Sequence, residues 1–291
     1  MSGPADPVDP APPAARTPRL SNLQMRTLSG VVLAAVALSA TWAGGLWFRL
    51  LAVAIGAAVF FEWATMAGRV ASIRQQAGAW VLVGVVLLAL ALGMDARAVF
   101  GGALAAAVLV FAYGRFAGEG GWLWLAVAYA AVPAAALAFL RDGDMAGLWA
   151  ILFLFAVVWA TDILAYFVGR AVGGPKLAPA ISPGKTWSGA VGGAAAGTLA
   201  GLGVAAVAAS PASPWLVGLS ALLLSVLSQM GDLFESGLKR RFGVKDSGWL
   251  IPGHGGVMDR VDGLVAAAIA LYVVGALAAG ADMPAHGLFG P

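Results

Sequence analysis

Apolar residues along this chain fall into long runs separated by short polar stretches, and each run is about the length a helix needs to cross a bilayer. Nine runs stand out, at roughly 27–44, 46–63, 78–94, 98–114, 122–140, 147–169, 188–209, 214–233 and 262–280. They predict an all-α, polytopic membrane protein of about nine transmembrane helices. Only Gly44, Gly45 and their neighbours part the first two runs. Joined, those runs span about 35 residues, too many for one crossing, so they predict a tight helical hairpin. Residues 1–24 are rich in Pro, Ala and small polar groups and cannot build a core, which predicts a disordered tail. No basic segment followed by an apolar one opens the chain, so the first run is expected to stay as a membrane helix. The rest divides into N-terminal transmembrane helices (25–169) and a C-terminal part (170–291) that carries two polar loops, 170–187 and 234–261.

Composition agrees with this pattern. The chain is 61% hydrophobic and 11% charged, against about 25% charged residues in an ordinary soluble domain. Cysteine is absent, which excludes disulfides, thiolate metal sites and a Cys nucleophile. The placement of the charges says more than the net +3. With the N-terminus inside, only Arg49, Arg97 and Arg141 of the 17 Lys and Arg fall outside, leaving fourteen inside. The positive-inside rule therefore predicts N-in, C-out, with both polar loops on the cytoplasmic side of the cell membrane, where nucleoside triphosphates are found.

The seventh run carries Gly189, Gly193, Gly197 and Gly201 at i, i+4 spacing, a smooth face on which another helix can pack closely. Internal packing is favoured over a homodimer interface. Glu62, at the end of the second run, and His286, in a polar tail, are read as interfacial residues without a chemical role.

The 234–261 loop and its borders hold the densest chemistry. On a helix, Asp232, Glu235, Ser236 and Lys239 share one face, and Asp259 and Asp262 share another at the start of the ninth run. Two helix ends at one membrane level could bring these carboxylates around a hard cation such as Mg²⁺, or each could merely flank its helix. Lys239, Arg240, Arg241, Lys245, His254 and Arg260 supply positive charge or donors, and interfacial anchoring on anionic lipid is the competing use. Gly243, Gly248, Gly253, Gly255 and Gly256 permit tight turns and close backbone approach. In the other loop, Gly184-Lys185-Thr186 looks like the tail of a P-loop. Pro179 stands where the first glycine is needed and no strand is predicted before it, so that reading fails.

The order Ser236, Leu238, Lys239-Arg240, Lys245-Asp246, Ile251-Pro252, His254-Gly255-Gly256-Val257, Asp259-Arg260-Val261-Asp262 resembles the signature of the phosphatidate cytidylyltransferases, or CDP-diacylglycerol synthases. A second stretch is similar to the same family: Asp162, Ala165-Tyr166, Gly169-Arg170, then Ser182-Pro183 and Lys185-Thr186. Ser188 stands where the family often has Glu or Gln.

The resemblance implies transfer of a cytidylyl group from CTP to phosphatidic acid, giving CDP-diacylglycerol and pyrophosphate. It implies Mg²⁺ held by Asp232 and Asp259, with Asp262 as a further ligand, and is compatible with a monovalent cation such as K⁺ beside it. Lys239, Arg240, Lys245, Asp246, His254 and Arg260 would form the catalytic set. Asp162, Tyr166, Arg170, Ser182, Lys185 and Thr186 would bind substrate. Partners are then CTP, phosphatidic acid and membrane lipids, with no nucleic acid. Arg241 lies outside the pattern and keeps an anchoring role. The alternatives are a CTP-dependent polyprenol or phytol kinase, against which the complete signature argues, and a non-enzymatic transporter, which would carry its charge near the bilayer midplane. A CDP-alcohol phosphotransferase is excluded because Ala266-Ala267 follow Asp262-Gly263 without the required arginine.

Overall fold

The computed structural model describes residues 22–67, 71–118, 122–252 and 255–290. Nearly all of the N-terminal tail, and His254, lie outside the described residues. Ten helices follow in order: α1 (Asn22–Ala43), α2 (Gly45–Ala67), α3 (Ile73–Ala91), α4 (Ala96–Phe116), α5 (Leu123–Arg141), α6 (Met145–Val172), α7 (Trp187–Val207), α8 (Pro214–Arg241), α9 (Met258–Ala279) and the short α10 (His286–Phe289). Among the described residues, the first nine are long and apolar enough to cross a membrane.

The α1–α2 hairpin forms where expected. Gly44 and Gly45 both take positive φ, +62° and +48°, a region open to glycine at little cost. The guanidinium of Arg141, at the end of α5, fills the space a Cβ on Gly44 would occupy. There it donates to the carbonyls of Thr41 and Trp42, which the end of α1 leaves without helical partners. One of the three arginines assigned outside thus has a structural use.

α5 is the most enclosed of the nine long helices and packs against α2, α3, α4 and α9. α6 to α9 form the second group, with α7 lying along α6 and α8 along α9. The glycine stripe explains the first of these contacts. A Cβ on Gly189 would stand 2.6 Å from the carbonyl oxygen of Ala165, and one on Gly193 2.7 Å from that of Thr161. The stripe therefore serves internal packing. α1 packs chiefly against α2 and α6 and leaves Leu28, Val31, Val32 and Val36 exposed, as a lipid-facing helix does.

Around the two polar loops, three features differ from the sequence expectation. The 170–187 stretch is not wholly irregular: β1 (Lys176–Ala178) and β2 (Ser182–Thr186) form an antiparallel hairpin, with Lys176 opposite Thr186 and Ala178 opposite Ser182. α8 continues past residue 233 to Arg241, because its polar last turns still present Glu235 and Leu238 to the protein interior. α9 begins at Met258, four residues before its apolar run, because polar groups from elsewhere cap its first turn.

Candidate active site

α6, the hairpin, the start of α7, α8 and α9 line a half-open cavity of about 780 Å³, within the range of small-molecule sites. The six residues expected to bind substrate all line it: Asp162, Tyr166 and Arg170 from α6, and Ser182, Lys185 and Thr186 from β2. Asp232, Asp259, Arg260 and Asp262 line it as well. Hairpin geometry brings the 182–186 segment over the helix ends, where Lys185 ion-pairs with Asp232. Thr186 caps α7, its Oγ1 accepting from the Gly189 N–H at 3.1 Å. Ser188 donates from its hydroxyl to the carbonyl of Gly173 at the end of α6, so it ties α7 to α6. Arg170 donates to the Tyr166 hydroxyl at 2.9 Å.

Close helix contact places the carboxylates. A Cβ on Gly231 would lie 2.6 Å from the Asp262 carbonyl oxygen, and one on Gly263 3.1 Å from that of Ser228. α8 and α9 therefore touch backbone to backbone beside Asp232 and Asp262. Asp162 joins them from α6, and the three carboxylates lie within electrostatic range of one another.

Asp259 has a different environment. Its Oδ1 takes the Lys239 ammonium at 2.6 Å, and its Oδ2 accepts from the N–H groups of Gly256 (2.8 Å) and Ser247 (3.0 Å) and from the Ser247 hydroxyl (2.9 Å). Lys239 also pairs with Glu235 at 2.6 Å, and Glu235 is fully buried. Lys239 and Asp259 are thus locked in an internal ion-pair chain. A pair of this kind is strongly destabilised when one partner is removed.

Arg240, Lys245 and Asp246 are exposed and do not line the cavity. Arg241 stacks 4.2 Å from the Trp122 ring centroid, a cation–π contact in keeping with its anchoring role. His286 pairs with Asp144 at 3.2 Å, which ties α10 to the start of α6.

Sequence reasoning missed Gln229 and Lys176, which line the cavity, and misread Glu62. Glu62 is 1% exposed and is no interfacial bystander. Its carboxylate accepts from the Val257 and Met258 N–H groups, both at 2.8 Å, and lies 3.0 Å from the Ser247 hydroxyl. The signal was available: an ionisable residue inside an apolar run is a functional hypothesis by default.

The sequence matches the family described as "Cytidylyltransferase family" over residues 24–278. The chain belongs to the cytidylyltransferase family. Proteins named phosphatidate cytidylyltransferase from Brucella suis biovar 1 and Brucella melitensis biotype 1 are each 49% identical over 267 residues, covering 91% of this chain and 97% of their own. One from Staphylococcus saprophyticus is 47% identical over 124 residues, 43% of this chain and 48% of its own. The family match runs from α1 into the last turn of α9, so it takes in the five N-terminal helices in which no signature was legible, including the helix that carries Glu62.

Proposed function

We propose that this chain transfers a cytidylyl group from CTP to phosphatidic acid, releasing pyrophosphate and forming CDP-diacylglycerol in the membrane. A phosphate oxygen of phosphatidic acid attacks the α-phosphorus of CTP. A new P–O bond forms there, and the bond to the β-phosphate bridging oxygen breaks. A phosphomonoester is already a competent nucleophile, so the protein's task is positioning and charge neutralisation. The observation that carries the reading is the meeting of Arg170, Lys176, Lys185 and Arg260 with Asp162, Asp232 and Asp262 in one cavity, in a chain of the cytidylyltransferase family.

Mg²⁺ typically takes one or two carboxylates, substrate phosphates and waters. Among the described residues no three acidic or histidine side chains gather tightly enough to hold an ion on their own. Asp232 and Asp262 fit the open style of site, since both face the cavity where their helices touch. Asp259, with both oxygens already engaged, fits it poorly and instead supports the first turn of α9. When bound, Mg²⁺ would neutralise charge on the triphosphate and the departing pyrophosphate. A monovalent cation beside it belongs to the same proposal. Arg170, Lys176, Lys185 and Arg260 would hold the phosphates of the two substrates. Asp162 would keep Lys185 directed into the cavity.

We place the site on the cytoplasmic face of the cell membrane. The C-terminal ends of α2, α6 and α8 and the N-terminal ends of α7 and α9 converge at this level, as alternating crossings require. The fourteen-to-three split of basic residues gives that level its side. A homodimer draws no support from the glycine stripe, which is occupied by α6.

The test is formation of labelled CDP-diacylglycerol from CTP and phosphatidic acid by the purified protein in detergent. Transfer of the γ-phosphate to a lipid alcohol, with release of CDP, would instead establish the kinase reading. Absence of both products would leave the transporter.

A further inference from the structure

α9 starts without a side-chain cap of its own, yet it carries Asp259 and Asp262 in its first two turns. The first N–H groups of a helix have no intrahelical partners and need acceptors from elsewhere. Here Asp259 takes the N–H of Gly256, and Glu62, 195 residues away on α2, takes those of Val257 and Met258. A carboxylate at a helix N-terminus is favourably placed for both hydrogen bonding and the helix dipole.

The surroundings are shaped for this carboxylate. A Cβ on Gly248 would lie 2.8 Å from Glu62 Oε1, and one on Gly256 would stand 2.5 Å from Oε2 and overlap the Ser247 hydroxyl. Gly255 takes φ +83°, and a Cβ there would lie 3.0 Å from Asp259 Oδ2. Two glycines of the His-Gly-Gly segment are therefore needed where the chain folds over Glu62 and Asp259. Ser247 lies between the two acids, its hydroxyl 3.0 Å from Glu62 Oε2 and 2.9 Å from Asp259 Oδ2. Its single proton serves one of them at a time, while its backbone N–H stays on Asp259.

We propose that Glu62 is a positioning residue of the transfer site: from α2 it clamps Ser247 and the first turn of α9, and so sets Arg260 and Asp262 opposite Asp232. The clamp links α2, none of whose residues lines the cavity, to the helices that do. A buried carboxylate with three donors is costly to remove, because each donor is left without an acceptor. A geometric effect adds to the energetic one: a displacement of about 1 Å in a positioned group costs about a hundredfold in rate.

The inference rests on the cytidylyl-transfer reading, which wild-type turnover tests by itself. The experiment compares full-length Glu62→Gln and Ser247→Ala with wild type, using monodisperse protein in detergent. It reads turnover per folded molecule, the unfolding midpoint, and binding of Mn²⁺ alone from loss of the free-ion EPR signal. Glu62→Gln keeps the size of the side chain but cannot accept at both ends. It should lower kcat about 30-fold or more while KM for each substrate moves by less than about threefold. Ser247→Ala, which leaves the helix cap in place, should lower kcat by about tenfold. The double variant should be little worse than Glu62→Gln, since the two act as a unit. Mn²⁺ affinity should weaken in both, whereas loss of folded protein alone lowers the number of sites and leaves the affinity unchanged. Wild-type kcat per folded molecule and wild-type Mn²⁺ binding in both variants would overturn the proposal, whatever the midpoint does. Should Glu62→Gln yield no folded protein, Ser247→Ala decides the matter, and wild-type kcat in that variant overturns it.

Discussion

Lys185 on β2 and Asp232 on α8, 47 residues apart in sequence, form an ion pair inside the cavity. Both side chains are about one quarter to one third exposed, and a pair that wet contributes about 1 kcal/mol or less to stability. Its position matters more than its strength, because in our reading it fixes a cation and a carboxylate where two phosphate-bearing substrates meet.

That ranking predicts the behaviour of Lys185→Ala. Stability should hardly change, while kcat/KM for CDP-diacylglycerol formation should fall by about a hundredfold, as when one donor to a transition-state charge is removed. Arg241→Ala is the control. Its guanidinium packs on Trp122 outside the cavity, so turnover should stay near wild type with a stability loss of about 0.5–1 kcal/mol. Equal losses of activity at the two positions would return the basic residues to a general anchoring role.

The fold was legible because a bilayer imposes a length and a polarity on each crossing. The Gly44–Gly45 hairpin, for example, could be read from the length of the two runs it separates. The helix ends were less legible. α8 runs on through Lys239 and Arg241, and α9 starts before its apolar run, because side-chain partners from distant segments satisfy those polar turns. The same long-range pairing hid the separate roles of the acids. Asp232, Asp259 and Asp262 look alike in sequence, yet Asp259 alone is surrounded by a lysine, a hydroxyl and two backbone N–H groups. Nothing local to residue 62 showed that its carboxylate would meet a loop 185 residues onward.

The glycine stripe gives a packing prediction. The Cβ of Gly193→Ala would stand 2.7 Å from the Thr161 carbonyl oxygen and 2.9 Å from the Ala165 Cβ. Backbone cannot yield there without separating α6 from α7, so the substitution should cost about 1–3 kcal/mol. The measurement is the unfolding midpoint in detergent alongside the oligomeric state by size exclusion with light scattering. An unchanged midpoint with a change in oligomeric state would assign the stripe to an interface between copies.

Sidedness is checked by fusing reporters along the chain. Junctions after residues 180 and 245 should report cytoplasm, and one after residue 285 should report the opposite side. A cytoplasmic signal from the last would require an even number of crossings and would contradict the charge distribution that places the site.

The carboxylates separate by what their removal disturbs. Asp232 and Asp262 face the cavity across the α8–α9 contact and, in our reading, share Mg²⁺. Asp232→Asn and Asp262→Asn should each lose most activity and need more Mg²⁺ for what remains, while the protein still folds. If the two act as a unit, the double variant should be little worse than either single one. Independent residues would instead show effects that add. Asp259→Asn should behave differently. It would put an amide hydrogen against either the Lys239 ammonium or the N–H groups of Ser247 and Gly256, leaving a buried cation or buried donors unpaired. That breakage costs about 3–5 kcal/mol when a buried ion pair loses one partner, so its unfolding midpoint should drop sharply. The measurements are CDP-diacylglycerol formation across a Mg²⁺ series and the unfolding midpoint for all four variants. Wild-type Mg²⁺ dependence in Asp232→Asn or Asp262→Asn, or an unfolding midpoint in Asp259→Asn equal to wild type, would reverse the roles assigned to these acids.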